Sequence, residues 1–458
     1  MCIRYAIRSR IMAANDTAAP VVVRDLRGRT YRVGEDPQDL IGCSRAWMLA
    51  FSWIAMAGIG VLQYGYGVAL TALHVTEGRS LTAALWVLAL WVVFQAGAAA
   101  PTAVLSHRFA LSPSRAVPIG AALCAAGPLT VAHTDNIALA ILGYSVLSGT
   151  GAGIVYATCT ATVAKWYPEN RAARIGLVTG AVGCGAVPFI AAFALTLTST
   201  TRTALFTAVA VIVLVVVAQV GSLLKDPPAG WWPAHVDPRQ WAFDKTLNRS
   251  LRHNVTAIRQ FSPAEAARTP AFVVMYLIMV IAAAAALLAI VYVPIMAISQ
   301  GFSLAVAALA VGLLAVVNGT GRSIAGWASD RLGRRQVLSA ALLIQGCAQL
   351  GLVYSASSAV PVAFVVFAGL SGLSGGAFYP LIASLVADYF GEPNAVRNFS
   401  LVYSAKLFGG LIGVGVPALL ISSHLMNPFV VAGLLSLGAA AMTRLLHLPG
   451  FPIVALPR

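Results

Sequence analysis

SGTGAGIVYATCTATVAKWYPENRAAR, residues 148–174, lies over SGLSGGAFYPLIASLVADYFGEPNAVR, residues 371–397, at a constant offset of 223. Ser148 falls on Ser371, Gly149 on Gly372, Gly153 on Gly376, Tyr156 on Tyr379 and Arg174 on Arg397. The same offset sets His107-Arg108 on Asp330-Arg331. A match of this length is far more specific than any single short motif. It says that one apolar unit occurs twice, in parallel order.

On either side of these two runs, apolar stretches of helix length lie near 46–72, 82–105, 116–133, 138–164, 174–198 and 203–224 in the first copy. In the second they lie near 270–297, 302–328, 336–356, 361–387, 398–422 and 427–447. Each is long enough to cross a hydrocarbon layer of about 30 Å at about 1.5 Å per residue. Of the 458 residues 59% are hydrophobic and 10% charged, a balance that no soluble fold needs. The expected fold is therefore an all-α membrane protein of twelve transmembrane helices in two pseudo-symmetric six-helix halves. Its parts are a tail (1–45), a first bundle (46–224), a central loop (225–269), a second bundle (270–447) and a C-terminal tail (448–458). The first tail is polar, has no apolar helical face, and is expected to be partly disordered.

The net charge of +15 would suggest nucleic acid in a soluble protein. Here the basic residues lie in short segments beside apolar spans. With the N-terminus inside, 26 of the 30 fall on the cytosolic side and only Arg79 and Arg202 on the other. That partition predicts a multi-pass protein of the cytoplasmic membrane with both termini in the cytosol, and no nucleic-acid partner. Cys2, Cys43, Cys124, Cys159, Cys184 and Cys347 are scattered, with no CxxC, and read as small apolar residues rather than a metal site or disulfide framework. No cleavable leader, cofactor, metal or enzymatic constellation is expected, and the chain reads as a monomer.

The two remaining cations lie inside spans. Arg322 stands eight residues before Asp330 in LLAVVNGTGRSIAGWASDRLGRR (313–335), and Lys406 eight residues after Asn398. Both come out roughly 12 Å deep. A charge at that depth costs about 2.5 kcal/mol or more and marks a site by default. All fifteen acids fall in the tail, the loops or at helix ends, so no carboxylate of the protein answers the pair. A small dianion from solution would, with Arg322 offering a planar fork and Lys406 a point charge. The alternatives are that Arg322 reaches along its helix to the loop, and that Lys406 is held as the free amine.

GWASDRLGRR (326–335) resembles the loop signature of the major facilitator superfamily, with a degenerate first-half copy in SHRFALSPSR (106–115). PPAGWWP (227–233), KWYPENRAARIGL (165–177), NGTGRSIAGWASDRLG (318–333) and VADYFGEPNAVRNFSLVYSAK (386–406) are similar to the oxalate:formate antiporter family within it. The resemblance implies the major facilitator fold, with the site between the halves. It also implies that an arginine in helix 8 and a lysine in helix 11, here Arg322 and Lys406, hold substrate carboxylates. Gln63, Tyr64, Gln95, Tyr156, Tyr379 and Tyr403 resemble pocket-lining positions. Asn318 shares a helix face with Arg322, and Tyr403 with Lys406.

There are departures. Where oxalate carriers of the family crowd the pocket with tryptophan, this chain has Gly375 and Tyr403, which predicts a roomier cavity. His107 stands where Asp330 does in the second half, and Lys165 where Asp388 does. The inner gate is therefore expected to use Asp330, Arg331, Asp388 and Arg397. With no acid or histidine inside the bundle as a proton relay, exchange of small carboxylates such as oxalate and formate is the leading reading. Proton-linked uptake of a monocarboxylate such as lactate or pyruvate is the alternative, and a carboxylate receptor that moves nothing is a third. The expected partners are thus small carboxylate anions and the lipid bilayer.

Overall fold

The computed structural model describes residues 21–24, 30–77, 80–109, 111–391, 394–420 and 426–450. The first twenty residues of the tail, Arg79 and residues 451–458 lie outside the described residues. Twelve helices are long and apolar enough to cross a membrane. In the first half they are α1 (Arg45–Thr76), α2 (Leu81–Leu105), α3 (Pro113–His133), α4 (Ile137–Trp166), α5 (Pro168–Thr196) and α6 (Arg202–Ser222). The second half holds α7 (Pro270–Ser299), α8 (Leu304–Leu332), α9 (Arg334–Ser357), α10 (Pro361–Phe390), α11 (Ala395–Ala418) and α12 (Met426–Leu445).

Hydropathy alone places the spans but trims their polar ends. α5 starts at Pro168 rather than near 174, because a 3₁₀ turn, Pro168–Asn170, and a polar first turn with Arg171 and Arg174 lead into the apolar run. Local chemistry sets several starts. The Thr269 hydroxyl accepts from Phe272 N before Pro270 opens α7, and Ser303 caps α8 through Val306 N. Both are side-chain oxygens satisfying amides that the first turn leaves orphaned.

The starts of odd-numbered helices and the ends of even-numbered ones share one face with the central segment; we call it the segment face. The described part of the tail, residues 21–24 and 30–45, packs on this face. β1 (Val21–Arg24) pairs antiparallel with β2 (Thr30–Val33), and β2 pairs parallel with β3 (Trp231–Trp232) of the PPAGWWP run. Trp231 explains why it folds: its indole is buried, packs edge-on against Trp166 at 5.0 Å and donates to Glu35 O at 3.1 Å. An aromatic with an apolar body and one donor is satisfied at both ends.

The rest of the central segment is tied to the second half. Asn254 donates to Ser329 O at 3.0 Å, where α8 ends, and accepts from Arg334 N at 2.8 Å, where α9 begins. Phe261 N bonds Phe390 O, and Asn394 and Asn398 both donate to Phe261 O. The segment thus bridges the two bundles on one face.

Between the bundles, the closest approach is α5 on α8. A Cβ built on Gly180 would lie 2.3 Å from Gly319 O, and one on Gly319 would lie 2.4 Å from Gly180 O. Only hydrogen at both positions allows this backbone contact.

Candidate functional site

Among the helices with local breaks, three have them beside residues expected at the site. In α1 the turn Val61–Gly65, which holds Gln63 and Tyr64, is π-helical. α2 is interrupted at Ala98, just after Gln95. In α11 the helix is broken at Ser404, between Tyr403 and Lys406. Such wide or broken turns re-aim side chains and leave carbonyls open, and in membrane helices they persist where they line a cavity. α8, by contrast, runs unbroken through Asn318 and Arg322.

These elements bring nine of the expected residues together midway between the halves, all of them buried: Gln63, Tyr64, Gln95, Tyr156, Asn318, Arg322, Tyr379, Tyr403 and Lys406. Arg322 Nη2 donates to Asn318 Oδ1 at 3.2 Å, one turn back on its own helix. The same oxygen accepts from Tyr64 OH at 2.8 Å, across the seam. Lys406 Nζ donates to Gln95 Oε1 at 2.8 Å and Gln63 Oε1 at 3.4 Å, both from the first half. Gln95 Nε2 in turn donates to Tyr403 OH at 3.3 Å.

The tyrosines form the walls. Tyr156 and Tyr403 stack at 5.6 Å, and Tyr379 lies 6.0 Å from Tyr403. The repeat pair Tyr156 and Tyr379 therefore converge on one ring from opposite halves. Tyr379 faces both cations, with Arg322 Cζ 4.9 Å and Lys406 Nζ 5.7 Å from its centroid. A ring face attracts each by about 0.5–2 kcal/mol, which softens the pair without neutralising it. Among the described residues no carboxylate is paired with Arg322 or Lys406, and Arg322 Nε, fully buried, has no hydrogen-bond partner. Neither cation faces lipid. Two basic groups are thus held by neutral amides and aromatic faces, with one guanidinium donor to spare.

On the segment face, Asp330 and Asp388 are brought together by Arg334, which pairs with Asp388 and lies 3.6 Å from Asp330. Arg334 also donates to Ser384 O at 2.8 Å. Arg331 instead lies over Trp327 at 3.9 Å, and Arg397 is exposed. Arg334, which was not among the residues expected at this gate, thus stands between the two acids. In the first half the sense is reversed: Lys165 on α4 pairs at 2.5 Å with Asp226, just after α6, while Arg45 pairs with Glu169 at 2.8 Å. The substitution of Lys165 for an acid is answered by an acid from another helix end.

Sequence reasoning missed Gln345. It is buried on α9, accepts from Ser374 OH at 2.5 Å and leaves its Nε2 without a partner. A Cβ on Gly375 would lie 3.5 Å from Asn318 Nδ2 and 3.6 Å from Gln345 Oε1, so Gly375 opens the space between Asn318 and Gln345. The available signal was Gln345 and Gln349, polar residues four apart in an apolar helix.

The family model for the Major Facilitator Superfamily matches residues 52–327 and 274–453. The chain belongs to the major facilitator superfamily. Within it, the chain is 24% identical over 400 residues to the oxalate:formate antiporter of Oxalobacter formigenes, covering 87% of this chain and 90% of that one. It is 27% identical over 386 residues to monocarboxylate transporter 11 of Mus musculus, covering 80% and 79%. Among solved structures, a D-xylose-proton symporter superposes with a TM-score of 0.61 at 15% identity, covering 86% of this chain and 97% of that one. The same symporter type bound to 6-bromo-6-deoxy-D-glucose gives 0.63 at 15% identity, covering 88% and 96%. At that identity the likeness speaks for the fold alone. This superfamily chain is thus a multi-pass transporter with carboxylate carriers among its relatives.

Proposed function

We propose that this transporter exchanges small carboxylate anions, of the oxalate and formate kind, by alternating access of a site built on Arg322 and Lys406. The observation that carries the reading is the buried Arg322–Lys406 pair with no acidic partner among the described residues. Empty, the site holds two charges that resist being shut away from water. Loaded with a dianion it approaches neutrality and can rock between the two faces. The resting cost thereby disfavours return of the empty carrier and couples outward to inward movement. Arg322 grips one carboxylate, Lys406 the other, and Tyr156, Tyr379 and Tyr403 exclude water around them. The relative from Oxalobacter formigenes, an oxalate:formate antiporter, supports this choice of substrates.

The segment face is the cytosolic one in this reading, and the chain acts as a monomer in the cytoplasmic membrane. Asp330, Arg334 and Asp388 latch the inner gate, with Arg331 and Arg397 at its rim. Likeness to a monocarboxylate transporter supports a second reading, proton-linked uptake of a single carboxylate. Proteoliposomes separate the two. Labelled oxalate or formate is expected to enter only vesicles preloaded with a carboxylate. Uptake into anion-free vesicles that follows an imposed proton gradient would replace exchange by symport.

A further inference from the structure

A second cationic recess lies on the segment face, far along α8 from Arg322. Thr246, Arg249, Arg252 and His253 of the central segment and Asp330 and Arg331 at the end of α8 enclose a cavity of about 440 Å³. Arg249 and Arg252 are the two ends of a single 3₁₀ turn, Arg249–Arg252. With three residues per turn, positions i and i+3 eclipse, so both guanidinium groups leave the turn on the same side. Like charges so placed repel, and Arg331 adds a third from across the recess. The one acid there, Asp330, is already shared with Arg334 at 3.6 Å.

The recess is also held in shape. Asn254, one residue beyond His253, clamps the central segment to Ser329 O and Arg334 N. Arg252 Nε is anchored on Lys245 O at 2.9 Å, and Arg331 on the Trp327 ring. On its outer flank Trp327 and Leu332 are 55% and 63% exposed, an aromatic and an aliphatic where α8 leaves the apolar layer. Its inner side, with Arg249 and His253 exposed, is open to water.

We infer that this recess is a binding site for a phosphate-bearing anion, gripped by Arg249, Arg252 and Arg331 with the Thr246 hydroxyl and His253 at its edge. Arginine forks match phosphate oxygens in pairs, and basic pockets on this side of membrane helices suit phosphorylated headgroups. An anionic lipid entering past Trp327 and a soluble phosphate compound entering from water offer the same chemistry. Occupancy joins the central segment to the end of α8 and stabilises the clamp at Asn254. This site is separate from the Arg322–Lys406 centre, so it stands whichever anion that centre carries.

The test is thermal unfolding of the purified full-length protein in neutral detergent, in two arms. One titrates sodium pyrophosphate against sodium chloride of equal ionic strength; the other titrates phosphatidylglycerol against phosphatidylcholine in mixed micelles. A saturable rise in Tm is expected in at least one arm, and the arm that responds identifies the source. In R249Q/R252Q the half-saturating concentration rises at least tenfold, and R249Q alone, which leaves the Arg252–Lys245 bond intact, gives an intermediate loss. The charge-matched pair R239Q/R268Q, also on exposed arginines, binds as the parent does. A flat response in both arms, an unchanged half-saturation in R249Q and R249Q/R252Q, or an equal loss in the control pair overturns the site.

Discussion

In the proposed reading, Arg322 is a residue costly to the fold and necessary to its work. It is 4% exposed, holds one neutral oxygen and keeps a buried Nε with no acceptor. A charge-assisted hydrogen bond contributes about 1.5–3 kcal/mol. R322Q and K406Q should therefore each weaken carboxylate binding roughly tenfold to a hundredfold, read as half-saturation of exchange in proteoliposomes. Because each change also removes an unpaired buried charge, the empty protein should unfold at a higher Tm than the parent. A purely structural role would lower it. Arg322→Lys keeps the charge and loses the fork, so it should restore little. Both buried basic residues were legible in the sequence, since a charge inside an apolar span is costly and marks a site by default. Gln345 and Arg334 were not: an amide in a helix, or a third arginine in GRR, looks like its neighbours until its partners are known.

Among the elements, α5 and α8 set the seam between the halves. Their backbones touch at Gly180 and Gly319, so a methyl group at Gly180 must push the helices apart. Overpacking of this kind costs about 1–3 kcal/mol, and Gly180→Ala should lower Tm and slow exchange together. Gly312 is the control on the same helix as Gly319, because a Cβ there meets nothing within 4 Å. Gly312→Ala should leave both unchanged or slightly improved, since glycine inside a helix is itself unfavourable. An unaltered Tm in Gly180→Ala would show that the seam is looser than its distances. A glycine spacing such as that of Gly176 and Gly180 marks a helix face that others can approach closely, but not which helix it meets. The breaks at Gln63–Tyr64 and Ser404 were not among the features expected from the sequence.

For the whole molecule, the central segment and part of the tail make one face unlike the other. That face carries the sheet of β1, β2 and β3, the Asn254 clamp and the ion pairs around Arg334, Lys165 and Arg45. If it is cytosolic, a cysteine-free background with Lys245→Cys should react with a membrane-impermeant maleimide only in inside-out vesicles. Ser199→Cys, between α5 and α6, should react only in right-side-out ones. The opposite pattern would invert the topology and with it the direction of the gate. The two ion-pair clusters also differ in burial. Lys165 and Asp226 are 52% and 28% exposed in their side chains, against 11% and 16% for Arg334 and Asp388. Removing one partner of an exposed pair costs little, and of a largely buried one much more, so breaking the Arg334–Asp388 pair should cost more stability than breaking Lys165–Asp226.

Composition, hydropathy and the internal repeat were enough for the class, the twelve spans, the two halves and the two deep cations. Each follows from what a bilayer tolerates: apolar length, paired backbone groups and very few charges. It took the packed molecule to show which neutral groups hold Arg322 and Lys406, which arginine joins Asp330 to Asp388, and that the tail pairs with the Trp231–Trp232 strand. Those outcomes depend on side chains hundreds of residues apart meeting at a few ångströms. No local pattern encodes such meetings, because the energy that selects them exists only once the helices are packed.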